Sequence, residues 1–126
     1  MSDDNTAQQV YYRITQKLQD CQKQLGQIEA QISGNQRESR LAALTRREIE
    51  GLDASVPLYK STGKMFIQEP KDDLLKEIDT TAENSKAMVE ALEKKQKFVR
   101  REMEEASGNL KDIVRSIQTA AATTKA

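Results

Sequence analysis

The sequence predicts a mainly α protein: an antiparallel two-helix coiled coil with one β-hairpin between the helices. Three observations carry this reading. Apolar residues recur at heptad spacing in two long stretches, one ending near residue 42 and one starting near residue 71. Between them, β-forming residues flank a turn-like segment at residues 61–64. The composition is rich in charge and poor in core: of 126 residues, 32% are charged, 37% apolar and 4% aromatic. Such a chain cannot fill a thick mixed core. It suits long helices that share a narrow apolar seam.

The same composition excludes several functions. Lys and Arg total 20, Asp and Glu total 20, and the net charge is zero. A general nucleic-acid binder would carry a basic excess. The absence of His removes the usual general base and the commonest nitrogen ligand for metals. A single cysteine, Cys21, cannot build a thiolate metal site or an internal disulfide. No apolar run approaches the ~18 residues of a membrane span. The polar, acidic start from Met1 to Thr6 is unlike a secretory signal. The expectation is a cytoplasmic protein, compatible with a nuclear pool, with no catalytic residue, cofactor or metal, and with neither nucleic acid nor membrane as partner.

The first arm is expected over residues 6–42. One seam position carries Tyr11, Leu18, Leu25 and Ile32, and the other Ala7, Ile14, Cys21 and Ile28. Spacings of four and three put these side chains on one stripe of a helix. Cys21 lies on that stripe, which makes it a small buried apolar residue rather than a reactive thiol. Asn35 and Ser39 then weaken the seam, with Gly34 beside them. Glycine costs a helix about 1 kcal/mol against alanine, so a bend or loosening is expected there.

The second arm is expected over residues 71–120. One seam position holds Leu75, Ala82, Val89, Gln96, Met103, Leu110 and Ile117. The other holds Ile78, Ser85, Leu92, Val99, Ala106, Ile113 and Ala120. A repeat this long is a strong coiled-coil signal. Pro70 precedes the helix, and Asp72 and Asp73 fall in its first turn, where acids meet the positive end of the helix dipole. Residues 121–126 are expected to fray.

The period changes between the arms. Thr45 followed three residues later by Glu48 reads as a capping box that opens a short helix over residues 45–53, burying Ile49 and Leu52. Gly51 and Pro57 help to end it. A β-hairpin is then expected over residues 57–69. Leu58, Tyr59, Met65, Phe66 and Ile67 make it apolar on both faces. Two strands alone are marginal in water, and thin arms offer little surface to cover them. With no spare strand in the chain, other chains must complete the sheet. These five residues are therefore the candidate assembly residues.

Pairing Ile32 against Ser85 puts Ile14 opposite Met103 and Ala7 opposite Leu110. Ile113, Val114 and Ile117 then lack a partner from the first arm, whereas a register shifted by one heptad would cover some of them. Together with Val10, Tyr11, Tyr12 and Ile14 they would form an apolar surface at the free arm ends. Such a surface suits non-native chains, which expose apolar segments of no fixed shape and are held by many weak contacts acting together.

The hairpin also carries a resemblance. Tyr59-Lys60-Ser61-Thr62-Gly63-Lys64-Met65-Phe66-Ile67 resembles the hairpin motif of β-type prefoldin subunits. The Met-Phe-Ile ending, with Leu44-Thr45 and Glu48-Ile49 upstream, looks most like the subunit 1 branch of the eukaryotic family. The resemblance implies a hetero-hexamer of α- and β-type subunits whose hairpins contribute to an inter-subunit β-barrel, with coiled-coil tentacles. It further implies an ATP-independent co-chaperone that captures unfolded or nascent actin and tubulin at the tentacle tips and delivers them to the cytosolic group II chaperonin. It implies no catalytic residue. A structural coiled-coil scaffold or tether without holdase activity is the alternative; it explains the heptads but leaves the hairpin without a purpose. An enzyme would need a base or a phosphate-cradling glycine loop, and Gly63 is a lone turn glycine.

Overall fold

The computed structural model describes residues 2–124, with side-chain surroundings for residues 5–122. The element order is α1 (Ser2–Glu50), β1 (Leu58–Thr62), β2 (Met65–Glu69) and α2 (Lys71–Thr124). Two long helices separated by one antiparallel hairpin are the elements expected from the heptads and the β-forming run. The chain divides into two compact units. One is Ala30–Leu92; the other joins the α1 residues up to Glu29 with the α2 residues from Glu93.

In the latter unit the seam residues Cys21, Ile28, Val99 and Ala106 are buried. Ile14, Leu18, Leu25, Met103, Leu110 and Ile113, from the same heptads, are half-buried. Fully burying one aliphatic side chain stabilises by about 1.5–3 kcal/mol, so the narrow seam supplies most of what holds these two helix segments together. The expected register is corrected here. Ile32 against Ser85 would bring Leu25 opposite Leu92. Instead, Leu25 lines one shallow groove with Arg100, Met103, Glu104 and Ser107, more than one heptad further along α2. Ile113 and Val114 are consequently half-buried rather than uncovered. Seam layers that repeat every seven residues leave neighbouring registers close in energy, so periodicity alone did not select among them.

In the unit Ala30–Leu92, Ala42, Ser85 and Leu92 are buried. The short helix expected over residues 45–53 is also corrected, because α1 runs unbroken to Glu50. Thr45 is not a cap: its Oγ1 donates to the carbonyl of Leu41 at 2.8 Å, an i−4 bond made inside a continuing helix. A capping threonine must leave helical geometry, which would break a run of good helix formers (Ala42, Ala43, Leu44, Arg46, Arg47). The heptad also continues through buried Ala42 and half-buried Ile49, so packing favours continuity. Gly34 stays within the helix. Its neighbour Asn35 donates from Nδ2 to the Gln31 carbonyl at 2.8 Å.

The end of α1 is closed by Gly51 N–H donating to the Arg47 carbonyl at 3.2 Å and Leu52 N–H to that of Ile49 at 3.1 Å. Leu52 is exposed rather than buried as expected, because it already lies in the turn beyond the helix. At the start of α2, the Pro70 carbonyl accepts from Leu74 N–H at 3.2 Å, and Asp72 and Asp73 occupy the first turn. At its far end α2 runs through Thr124, so residues 121–124 of the tail expected to fray are helical. Ala120, Ala121 and Ala122 are strong helix formers. Residues 125 and 126 lie outside the described residues.

The hairpin pairs Leu58 with Glu69, Tyr59 with Gln68, Lys60 with Ile67, Ser61 with Phe66 and Thr62 with Met65. Its loop is Gly63-Lys64. Gly63 has φ of 63°, the single positive φ among the described residues. A positive φ at the first of two loop positions only is the type II′ pattern, which matches the twist of paired strands. A side chain at Gly63 meets the left-handed penalty of about 1–2 kcal/mol. Gly63→Val is therefore expected to speed hydrogen exchange of the hairpin amides about tenfold in the free chain, while the helical amides keep wild-type rates. Unchanged hairpin exchange would contradict the turn assignment.

Candidate functional site

The first candidate surface is the hairpin. Strand residues alternate between faces, so Leu58, Lys60, Thr62, Met65, Ile67 and Glu69 share one face. Tyr59, Ser61, Phe66 and Gln68 share the other. Exposure is high on both: Met65 is 66% and Ile67 47% exposed on one, Phe66 73% and Tyr59 59% on the other. Leu58, the fifth predicted assembly residue, is half-buried and lines a groove with residues of α1 and α2. The sheet has two strands, so the outer edge of each lacks a neighbour among the described residues.

Two lysines tie this segment to the helices. Lys60 Nζ meets Glu77 Oε2 of α2 at 2.8 Å. Lys71 Nζ donates to the Leu52 carbonyl at 3.0 Å and reaches that of Glu50 at 3.5 Å, placing a cation on the open carbonyls at the α1 C-terminus. Arg46 joins the helices by pairing with Asp79, and its Nε also holds Glu50 at 3.0 Å. The bond to Asp79 is the main cause that holds the Arg46 guanidinium above its ordinary pKa. Glu69 is half-buried, with Oε2 sealed from solvent and without a hydrogen-bond partner.

The hydrogen bond to Glu77 raises the Lys60 pKa above the ordinary 10.5, helped by the Coulombic attraction of Glu77 and opposed by desolvation. A cation whose pKa is higher folded than unfolded contributes fully below the unfolded value, and that contribution is lost as pH rises through the folded one. Both side chains are 45% exposed, so the pair is weak and salt-sensitive. Glu77→Gln is expected to lower the melting temperature slightly and equally from pH 7 to 9, and the difference from wild type is expected to vanish well above 10.5. Melting curves of both proteins across that range check it; a difference that grew with pH would contradict the assignment.

The second candidate surface lies where α1 begins and α2 ends. Tyr11, Tyr12 and Ile117 are 43%, 64% and 39% exposed. Val10, Ile14, Ile113 and Val114 are half-buried. The seven predicted residues thus separate into an exposed trio and a half-covered quartet, because the actual register gives Ile113 and Val114 cover.

Sequence reasoning missed two exposed leucines of α1, Leu41 and Leu44, which are 53% and 57% exposed. Their signal was available: both are leucines off the heptad seam. Reading Leu44 as the residue before a helix cap concealed it. Phe98, 62% exposed beside buried Val99, was likewise unremarked.

Comparison with known proteins places this geometry. Residues 13–117 match the family described as "Prefoldin subunit". The chain is 30% identical over 105 residues to a probable prefoldin subunit 1 of Schizosaccharomyces pombe, covering 83% of this chain and 94% of that protein. It is 27% identical over 100 residues to a probable prefoldin subunit 1 of Caenorhabditis briggsae, covering 79% and 86%. Among solved structures, the prefoldin beta subunit from Thermococcus strain KS-1 superposes with a TM-score of 0.74 at 24% identity, over 83% of this chain and 92% of that one. That fold and the extent of the family match lead to one conclusion: the chain belongs to the prefoldin subunit family.

Proposed function

We propose that the chain is a β-type subunit of a hetero-hexameric, ATP-independent co-chaperone. In this reading its hairpin joins those of other α- and β-type subunits in a shared β-barrel. Its α1 start and α2 end hold unfolded or nascent proteins, actin and tubulin among them, for delivery to the group II chaperonin in the cytoplasm. The observation that carries the reading is the hairpin: two strands bearing Tyr59, Met65, Phe66 and Ile67, all exposed on a sheet with no further strand among the described residues. An apolar sheet this small is marginal in water unaided, and subunits of a common fold supply the missing strands. Nothing in this role needs a catalytic group or a cofactor. The test is to dilute denatured actin into buffer with the reconstituted hetero-oligomer and follow light scattering. Scattering is expected to fall in proportion to added complex. Unchanged scattering sinks the holdase role.

A second reading, a scaffold subunit without holdase activity, draws support from the half-buried state of Ile14, Ile113 and Val114, which leaves less apolar surface for a client. Replacing Tyr11, Tyr12 and Ile117 together by serine separates the two. The chaperone reading expects assembly to persist while actin protection falls several-fold; the scaffold reading expects no change in protection.

A further inference from the structure

Residues 94–101 of α2 hold five cations, Lys94, Lys95, Lys97, Arg100 and Arg101, and no carboxylate. Within this run Val99 is buried on the seam, while Phe98 is 62% exposed. Helix positions three and four apart are surface neighbours, so Phe98 is bordered by Lys94 and Lys95 on one side and by Arg101 and Glu102 on the other. A helical side chain leans over the turn N-terminal to it. For Phe98 that turn carries Lys94, Lys95 and Lys97, all exposed. Glu90, Glu93, Glu104 and Glu105 stand four residues from Lys94, Lys97, Arg100 and Arg101. None of these holds its cation, because the ion pairs among the described residues join Arg46 to Glu50 and Asp79 and Lys60 to Glu77. The first helix adds no acid at this level. Leu25, which shares a groove with Arg100 and Met103, lies within residues 22–28, a stretch without a carboxylate.

We propose that Phe98, with Lys94, Lys95, Lys97 and Arg101 around it, is a docking surface for a short acidic segment of a partner protein, one that carries an aliphatic or aromatic anchor. The surface lies outside the hairpin and outside the helix ends, so it goes beyond the function proposed above and does not depend on it. A single exposed apolar residue is ordinary on any surface; the unpaired cations gathered around this one single it out. Charge complementarity selects the occupant. Carboxylates of the segment meet the cations, and its apolar anchor covers the phenyl ring, which contributes little to the chain's own stability. Size selects against nucleic acid. The run from Lys94 to Arg101 spans about 10 Å of helix, which matches three or four residues of extended peptide at ~3.4 Å each. Beyond it, Glu90 and Glu93 at one end and Glu102, Glu104 and Glu105 at the other repel a phosphate backbone that continues along the helix.

The test uses the full chain and a labelled polyaspartate peptide with one central leucine, read by fluorescence anisotropy. Binding is expected at low ionic strength, with loss as salt rises to about 1 M, where the screening length falls to about 3 Å. Phe98→Ser, and separately Lys94→Gln with Lys95→Gln, are each expected to weaken binding about tenfold, the effect of removing one well-placed anchor. Leu44→Ser, which removes a leucine exposed to a similar degree elsewhere, is expected to bind like wild type. A peptide with serine in place of its leucine is expected to bind the wild-type chain as weakly as the leucine peptide binds Phe98→Ser, which tests the anchor without altering the protein. Helical circular dichroism near that of wild type shows that each variant keeps its fold. Absence of binding, binding unchanged by Phe98→Ser or by salt, or tighter binding of a single-stranded oligonucleotide of equal charge overturns the proposal.

Discussion

Replacing Phe66 and Ile67 together by aspartate is expected to abolish incorporation of the chain into a hetero-oligomer while leaving the helices folded. Phe66 and Ile67 lie on opposite faces of β2 and are 73% and 47% exposed. The free chain therefore loses little when they become charged, since exposed side chains contribute little to its own stability. In a closed barrel one of the two carboxylates faces the interior and is taken out of water without a counter-ion, at a cost of several kcal/mol. Native mass spectrometry of the variant mixed with its partner subunits should show the free chain alone, with helical circular dichroism near that of wild type. Retention of the full assembly would remove the basis for a hairpin-built hub and favour a module joined only through its coiled coil.

Val99→Asp is expected to cause the largest loss of stability, and Phe98→Asp, one residue away, almost none. Val99 is 3% exposed on the seam and Phe98 62% exposed on the outer side of α2. A lone carboxylate at position 99 has no neighbouring cation on the seam, where Cys21, Ile28 and Ala106 are the buried residues of the same unit. An uncompensated buried charge costs roughly 3–5 kcal/mol, which for a domain of this size corresponds to a fall of about 10–20 °C in melting temperature. Thermal unfolding followed at the helical band checks both variants in one experiment. Similar melting temperatures for the two would mean that the heptad seam is not what holds α1 and α2 together.

The contrast between these two sites shows what was legible before coordinates. Side-chain period is a local property, so Val99 and Ala106 were placed on the buried stripe by counting. The hairpin was legible for the same reason: β-formers on either side of a glycine, with Gly63 taking the positive φ that a two-residue turn requires. Its exposure followed from arithmetic, since a two-stranded sheet and two thin helices cannot cover five apolar residues. Thr45 shows where local reading failed. A capping box at residues 45–48 and an unbroken helix use the same residues, and the choice was made by Ala42 and Ile49 packing on the seam.

Heptad spacing and one glycine between β-formers are written along the chain and determined two helices and a hairpin with exposed apolar side chains. The alignment of α1 against α2 was decided only by the tertiary structure. Each candidate alignment buries a similar set of seam residues, and the difference is a sum of small terms spread over both helices. That sum covered Ile113 and Val114, and the packed base of the helices brought Leu41 into a groove with Leu58 and Ile78. No pattern within a single element encodes which side chains of another will stand beside it.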